Sequence, residues 1–223
     1  MKQVRIIFVF IAFLVSISWS SQSQNPKSIQ TSISEESFKI ISEEDHVDPK
    51  FGYNKCNLLI ELKSRKTKEE LTIIANNLRK TRKNYDKLWI GYYVFGVKDR
   101  TIAWATSNFT PNLEVEIIGA SDMEIKSMNS VNVSSGKIGK WFDNRTGAEC
   151  GMILFRKDNK IYMKSTNKHG NLGDDEFICK SEKSKIVYQP KVNKHKEYYI
   201  IEKNGNLGMY DESGKFGEAI RIP

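Results

Sequence analysis

Three cysteines, five prolines and three histidines in 223 residues leave few groups from which a catalytic or metal site could be assembled. Cys56, Cys150 and Cys179 are too few for a disulfide scaffold. They permit one bridge with a thiol left over, and Cys150 with Cys179 is the expected pair because both fall in the C-terminal β-rich region. His46, His169 and His195 form no spaced ligand pair, so no zinc site is expected. A Cys–His nucleophile pair would need Cys179 to meet His169, but Cys179 sits mid-strand beside Ile178, where a structural thiol is the ordinary reading. Ser134-Ser135-Gly136 lacks the glycine frame of a nucleophile elbow. Asp174, Asp175 and Glu176 are adjacent, and neighbours in a strand cannot share one face as an acid/base pair without a bend. No catalytic residue, metal ligand or cofactor site is therefore expected.

Charge of one sign is also lacking. Thirty-five Lys and Arg stand against 27 Asp and Glu, and the mild basic excess is mixed along the chain. That is ordinary solubility chemistry, not the clustered, aromatic-interleaved footprint of a nucleic-acid binder.

What is present begins with export. Lys2 and Arg5 precede an unbroken apolar run over residues 6–15, and small and polar residues take over at 16–21. This is the order of a secretory signal. The apolar core falls short of the roughly 20 residues needed to span a bilayer, so cleavage within 18–23 and a periplasmic or extracellular location are expected. Contact with the membrane would come only through an uncleaved signal. Cys56 is the first cysteine, so no acceptor for a lipid lies near the cleavage region.

The remainder divides by pattern: residues 1–23 a signal peptide, 24–54 a flexible acidic linker, 55–130 a small α/β domain and 136–223 an antiparallel β domain. The linker ends in Glu43-Glu44-Asp45-His46-Val47-Asp48, which lacks calcium-loop spacing and reads as solvated. Strands are expected over 57–62, 87–95, 101–106 and 113–119. A helix opens at Thr67 with a capping box completed by Glu70 and carries Leu71, Ile74, Ala75 and Leu78 on one face. A shorter helix is expected over 121–129. Beyond residue 136 the units 137–142, 151–156, 161–165, 176–179, 186–188, 197–202, 207–210 and 216–222 are separated by turn residues such as Asn204-Gly205, as an antiparallel meander or small barrel requires. The fold class is thus α+β: a small α/β N-terminal layer followed by an antiparallel β-meander or small barrel.

Two resemblances follow from these residues. The stretch from Lys83-Asn84-Tyr85 through Ala103-Trp104-Ala105-Thr106 to Leu113-Glu114-Val115 resembles a segment of an uncharacterised bacterial exported family, a domain of unknown function, and the β-rich tail resembles those joined to it. That likeness carries no activity with it. Gly139-Lys140-Trp141 is similar to the Gly-x-Trp on the first strand of lipocalin-type barrels, where the tryptophan plugs the closed end of a barrel holding an apolar ligand. Tyr92, Trp104, Trp141 and Tyr199 are the candidate contacts for a ligand or partner. Adjacent tyrosines such as Tyr92-Tyr93 and Tyr198-Tyr199 must point to opposite faces, leaving half of them outward for protein recognition. The expected function is a non-catalytic binding or interaction protein that meets another protein. The alternatives are a carrier of a small apolar ligand and, behind both, a hydrolase with an unrecognised site.

Overall fold

A computed structural model describes residues 37–182 and 185–223. The expected signal segment 1–23 and the first part of the expected linker, 24–36, lie outside the described residues. The described chain is predominantly β, with a five-stranded sheet followed by a closed eight-stranded barrel.

The sheet comprises β1 (Phe38–Val47), β2 (Asn54–Leu62), β3 (Lys87–Val94), β4 (Ala105–Phe109) and β5 (Leu113–Ile117), in sequence order across the sheet. Helix α1 (Lys68–Lys80) makes the crossover between β2 and β3, which pair in parallel, while every other neighbouring pair is antiparallel. Its start is fixed as the sequence dictates. Thr67 Oγ1 accepts from the Glu70 N–H at 3.2 Å, and Glu70 Oε2 accepts from the Thr67 N–H at 2.8 Å. Leu71, Ile74, Ala75 and Leu78 are buried in one core cluster with Cys56, Leu58, Ile60, Leu88, Ile90 and Tyr92, the alternate residues of β2 and β3. The expected α/β layer is corrected here. One helix and a single parallel pair make this a mixed, mainly antiparallel sheet.

Two strands depart from the expected pattern for a shared reason: polar side chains on an inward face hide the strand. The stretch read as flexible acidic linker contains β1, a ten-residue edge strand paired with β2. Glu43 and Asp45 lie opposite Leu58 and Cys56, on the side of the sheet that α1 covers. Their charges are met by Arg82, which donates to Glu43 at 2.8 and 2.6 Å, and by the Tyr85 hydroxyl, which donates to Asp45 at 2.7 Å. Strand β4 runs to Phe109, not over 101–106, because the inward Ser107 accepts a hydrogen bond from the buried Tyr92 hydroxyl at 3.0 Å. A residue typical of turns thereby becomes a core residue.

Helix α2 (Asp122–Ser130) follows, capped by Ser121 and Glu124, and lies against the outside of the barrel. Met128 packs with Ala120 and Phe142, and Lys140 Nζ donates to the Asn129 carbonyl oxygen at 2.6 Å. A Cβ on Gly151 would approach the Met128 carbonyl oxygen to 2.9 Å, so the glycine permits the contact.

The barrel strands are β6 (Lys137–Asp143), β7 (Cys150–Lys157), β8 (Lys160–Asn167), β9 (Gly170–Glu182), β10 (Lys185–Pro190), β11 (Tyr198–Ile201), β12 (Leu207–Asp211) and β13 (Gly214–Arg221). All eight expected units are strands. Each pairs antiparallel with the next, and the ring closes where Ile220 and Arg221 of β13 meet Phe142 and Trp141 of β6. The interior is filled by Trp141, Met152, Leu154, Ile161, Met163, Phe177, Tyr188, Leu207, Met209 and Ala219.

The expected Cys150–Cys179 bridge is not formed; all three thiols are unpaired. Strand β8 stands between them, and Cys150 lies past its Thr166 end whereas Cys179 lies past its Ile161 end. At about 3.3 Å per residue the two are on the order of 20 Å apart, against the roughly 7 Å a disulfide tolerates. His169 and Cys179 are likewise separated, by ten residues of β9, on the order of 30 Å in an extended strand.

Candidate functional site

The two ends of the barrel differ. At one end Trp141 is fully buried, with its indole N–H donating to the Gly205 carbonyl oxygen at 2.8 Å in the turn between β11 and β12. Gly139, two residues earlier on the same face of β6, lies directly under the indole, where any Cβ would overlap the ring. Leu154, Leu207 and Ala219, all fully buried, fill the remaining space. The Gly-x-Trp element therefore sits on the first barrel strand and closes one end.

At the other end the wall formed by β6, β12 and β13 is sealed by charge. Asp143 is buried and accepts from Arg145 Nε at 3.0 Å and Nη2 at 2.6 Å. Arg145 Nη1 also donates to the Phe216 carbonyl oxygen at 3.1 Å. The paired carboxylate holds the guanidinium firmly in its charged form.

Across the mouth from that ion pair, β8, β9 and the connection from β10 to β11 leave a cleft of about 600 Å3. Its floor is the apolar interior: Met152, Met163 and Phe177, each less than one-tenth exposed, with the Phe177 and Tyr199 rings edge-to-face at 5.5 Å between centroids. Its walls carry Ser165, Asp175 and Glu197. Asp175 lies opposite Met163 in the ladder and so shares its inward face. Its neighbours Asp174 and Glu176 belong to the other face of the strand: Asp174 pairs with Lys164 at 2.6 Å, and Glu176, which borders the cleft beside Lys191, pairs with Lys160 and Lys191 at 3.6 and 3.1 Å. Glu197 accepts from the Tyr199 hydroxyl at 3.4 Å. Neither Asp175 nor Glu197 has a cationic partner among the described residues. Burial pushes the Tyr199 phenol well above its usual range, and the charges of Glu197 and Asp175 push it further.

The four aromatics expected as contacts are placed as two pairs. Trp141 and Tyr199 both lie in the barrel interior, at its plugged and open ends. Tyr92 lies in β3 and Trp104 immediately before β4, and the Trp104 N–H donates to the Tyr92 carbonyl oxygen at 2.7 Å. Tyr92, Trp104 and Trp141 are at most 2% exposed and present nothing to a protein partner. Trp104 instead anchors the sheet to the barrel. Its Nε1–H donates to the Ala120 carbonyl oxygen at 3.0 Å, the Ala120 N–H donates to the buried Glu149 carboxylate at 3.0 Å, and Gly147 N–H donates to the other Glu149 oxygen at 2.8 Å. Of the four, Tyr199 alone lines the cleft. Asp175, Glu197, Phe177, Met152 and Met163 were missed as site residues. The sequence does carry a signal for Asp175: alternation must separate it from Asp174 and Glu176.

One further cluster brings donors together. Glu43, Asp45 and Cys56 place ligand atoms within 4.8 Å of one another. Arg82 and Tyr85 already engage the carboxylates, and the Cys56 thiol donates to Glu43 at 3.7 Å. The arrangement is that of a closed hydrogen-bond network joining β1 to the end of α1.

Compared with known proteins, the chain matches no family model, no curated protein and no solved structure.

Proposed function

We propose that this is an exported, non-catalytic binding protein whose barrel holds a small ligand with an apolar body. The observation that carries the reading is the asymmetry of the barrel, plugged by Trp141 at one end and open at the other onto Met152, Met163 and Phe177. A cleft with an apolar floor and a few polar groups on its walls is the usual form of a small-molecule site. Thioether side chains suit such a floor because they are flexible and polarizable and repack around different shapes. Burial of Tyr92, Trp104 and Trp141 takes three of the four expected contacts away from a protein partner. Export rests on Lys2, Arg5 and the apolar run over 6–15.

The test is native mass spectrometry of the full chain with 1-octanol, a neutral probe with an apolar body. A one-to-one adduct is expected, lost when the cleft is filled by Ser165→Phe while the circular dichroism spectrum is unchanged. Absence of an adduct with the unaltered chain, or one indifferent to Ser165→Phe, overturns the reading.

A further inference from the structure

The barrel mouth carries more charge information than an apolar carrier needs. Within a chain that is basic as a whole, the cleft holds two carboxylates, Asp175 and Glu197, without a countercharge among the described residues. The other ionic groups around it are spent. Arg145 on the far wall is committed to Asp143 through three side-chain contacts between 2.6 and 3.1 Å. Lys191 at the rim is committed to Glu176 at 3.1 Å. Lys164, beside Met163 in β8, points outward to Asp174. The unpaired charge in the cleft is negative; burial raises the proton affinity of Tyr199, and Glu197 and Asp175 raise it further.

We infer that the cleft selects a ligand with a cationic amine head and an apolar body, the head between Asp175 and Glu197 and the body on Met152, Met163 and Phe177. This rests on the binding-protein reading above and adds the class of ligand. The chemistry is complementary on both counts. An ammonium group lowers the repulsion between two carboxylates that line one cleft, and charge-assisted hydrogen bonds are about twice as strong as neutral ones. A carboxylate-headed ligand of the same length meets the opposite field, and like-charge juxtaposition is how a site rejects a wrong partner.

The experiment compares octylamine, 1-octanol and octanoate on the full chain by isothermal titration at pH 7 in low and in 0.5 M salt. Octylamine is expected to bind at least tenfold more tightly than octanol, with octanoate weakest, and the amine advantage is expected to shrink in high salt. In Asp175→Asn/Glu197→Gln the advantage of the amine over the alcohol should disappear. Equal binding of all three by the unaltered chain, or preference for octanoate, overturns the cation inference and leaves the pocket standing. Binding of none of them overturns both. The comparison within the unaltered chain holds whether or not the double variant folds.

Discussion

The indole N–H of Trp141 reaches the carbonyl oxygen of Gly205 at 2.8 Å, joining the first strand of the barrel to a turn 64 residues later in the chain. The contact does two things. It satisfies the one polar atom of a fully buried side chain, and it fixes the β11–β12 turn over the plugged end.

Replacement of Trp141 separates those two effects. Trp141→Phe keeps most of the apolar fill and strands the bond, which is expected to cost about 1–3 kcal/mol. Trp141→Ala empties the plug and is expected to cost about 3–5 kcal/mol. Urea unfolding followed by circular dichroism measures both. Equal losses for the two variants would mean that the ring volume contributes nothing.

Gly139 is tested by the smallest possible addition. A methyl group at this position must displace the Trp141 indole, and forced overpacking of a filled core costs about 1–3 kcal/mol. Gly139→Ala is therefore expected to be destabilising, whereas Gly170→Ala, at a turn with open space around it and φ +121, should lose stability only through its backbone. Near-ultraviolet circular dichroism distinguishes them, because only the first disturbs a tryptophan.

Glu149 holds two backbone N–H groups, those of Ala120 and Gly147, in a buried position. Glu149→Leu leaves both unpaired and is expected to cost about 1–3 kcal/mol for each. Glu149→Gln retains one acceptor and should lose roughly half as much. Hydrogen exchange at the Ala120 amide reports the broken contact directly, and unchanged protection there would show that Glu149 does not hold it.

The three thiols should react in order of burial. Cys179 is exposed, Cys150 half-buried and Cys56 fully buried. Burial, reinforced by the charges of Glu43 and Asp45, pushes the Cys56 thiol up to about 11. Ellman's reagent at pH 8 is expected to modify Cys179 at once, Cys150 slowly and Cys56 only on unfolding. An intact mass two daltons below that of the reduced chain would reveal a disulfide and contradict this.

Stability should pass through a plateau between about pH 5 and 9. On the acid side, the Lys215 ammonium and the Asn206 amide hold Glu218 down to about 2, from 4.5 when unfolded. Its contribution is complete above 4.5 and is lost as pH falls towards 2. On the alkaline side, Cys56 is raised to about 11 from 9.0, and burial raises Tyr92 to about 12 from 10.0. Both keep protons that the unfolded chain has released, so their contribution is complete below about pH 9 and is lost as pH rises through 11 to 12. The urea midpoint measured from pH 2 to 12 tests the window, and a midpoint still rising above pH 9 would reverse the assigned sign.

The barrel was legible because its strands announce themselves locally. Turn residues such as Asn204-Gly205 and Asp158-Asn159 punctuate short apolar units, and Asp158 and Asn159 do adopt positive φ. Helix α1 was legible from Thr67, Glu70 and one apolar face. What stayed hidden depends on partners distant in sequence. Glu43 becomes a strand residue only because Arg82 lies 39 positions on, and Ser107 a core residue only because Tyr92 reaches it across β3 and β4. The cleft was hidden for a related reason. Asp175 and Glu197 are ordinary surface carboxylates until β9 and β11 fold onto either side of β10 and bring both to one mouth. Of the four aromatics that stand out in the sequence, Tyr92, Trp104 and Trp141 are core.

Closure of the ring depends on Ile220 and Arg221 meeting Phe142 and Trp141. Until the ribosome has made those two residues, some 80 positions after the first strand, the growing chain can form only an open meander with two raw edges. An unpaired edge is a template for another strand. The last strand thus decides whether a nascent molecule becomes a closed ring or a sheet available to its neighbours, and any factor that shields the early strands during synthesis would act on that interval.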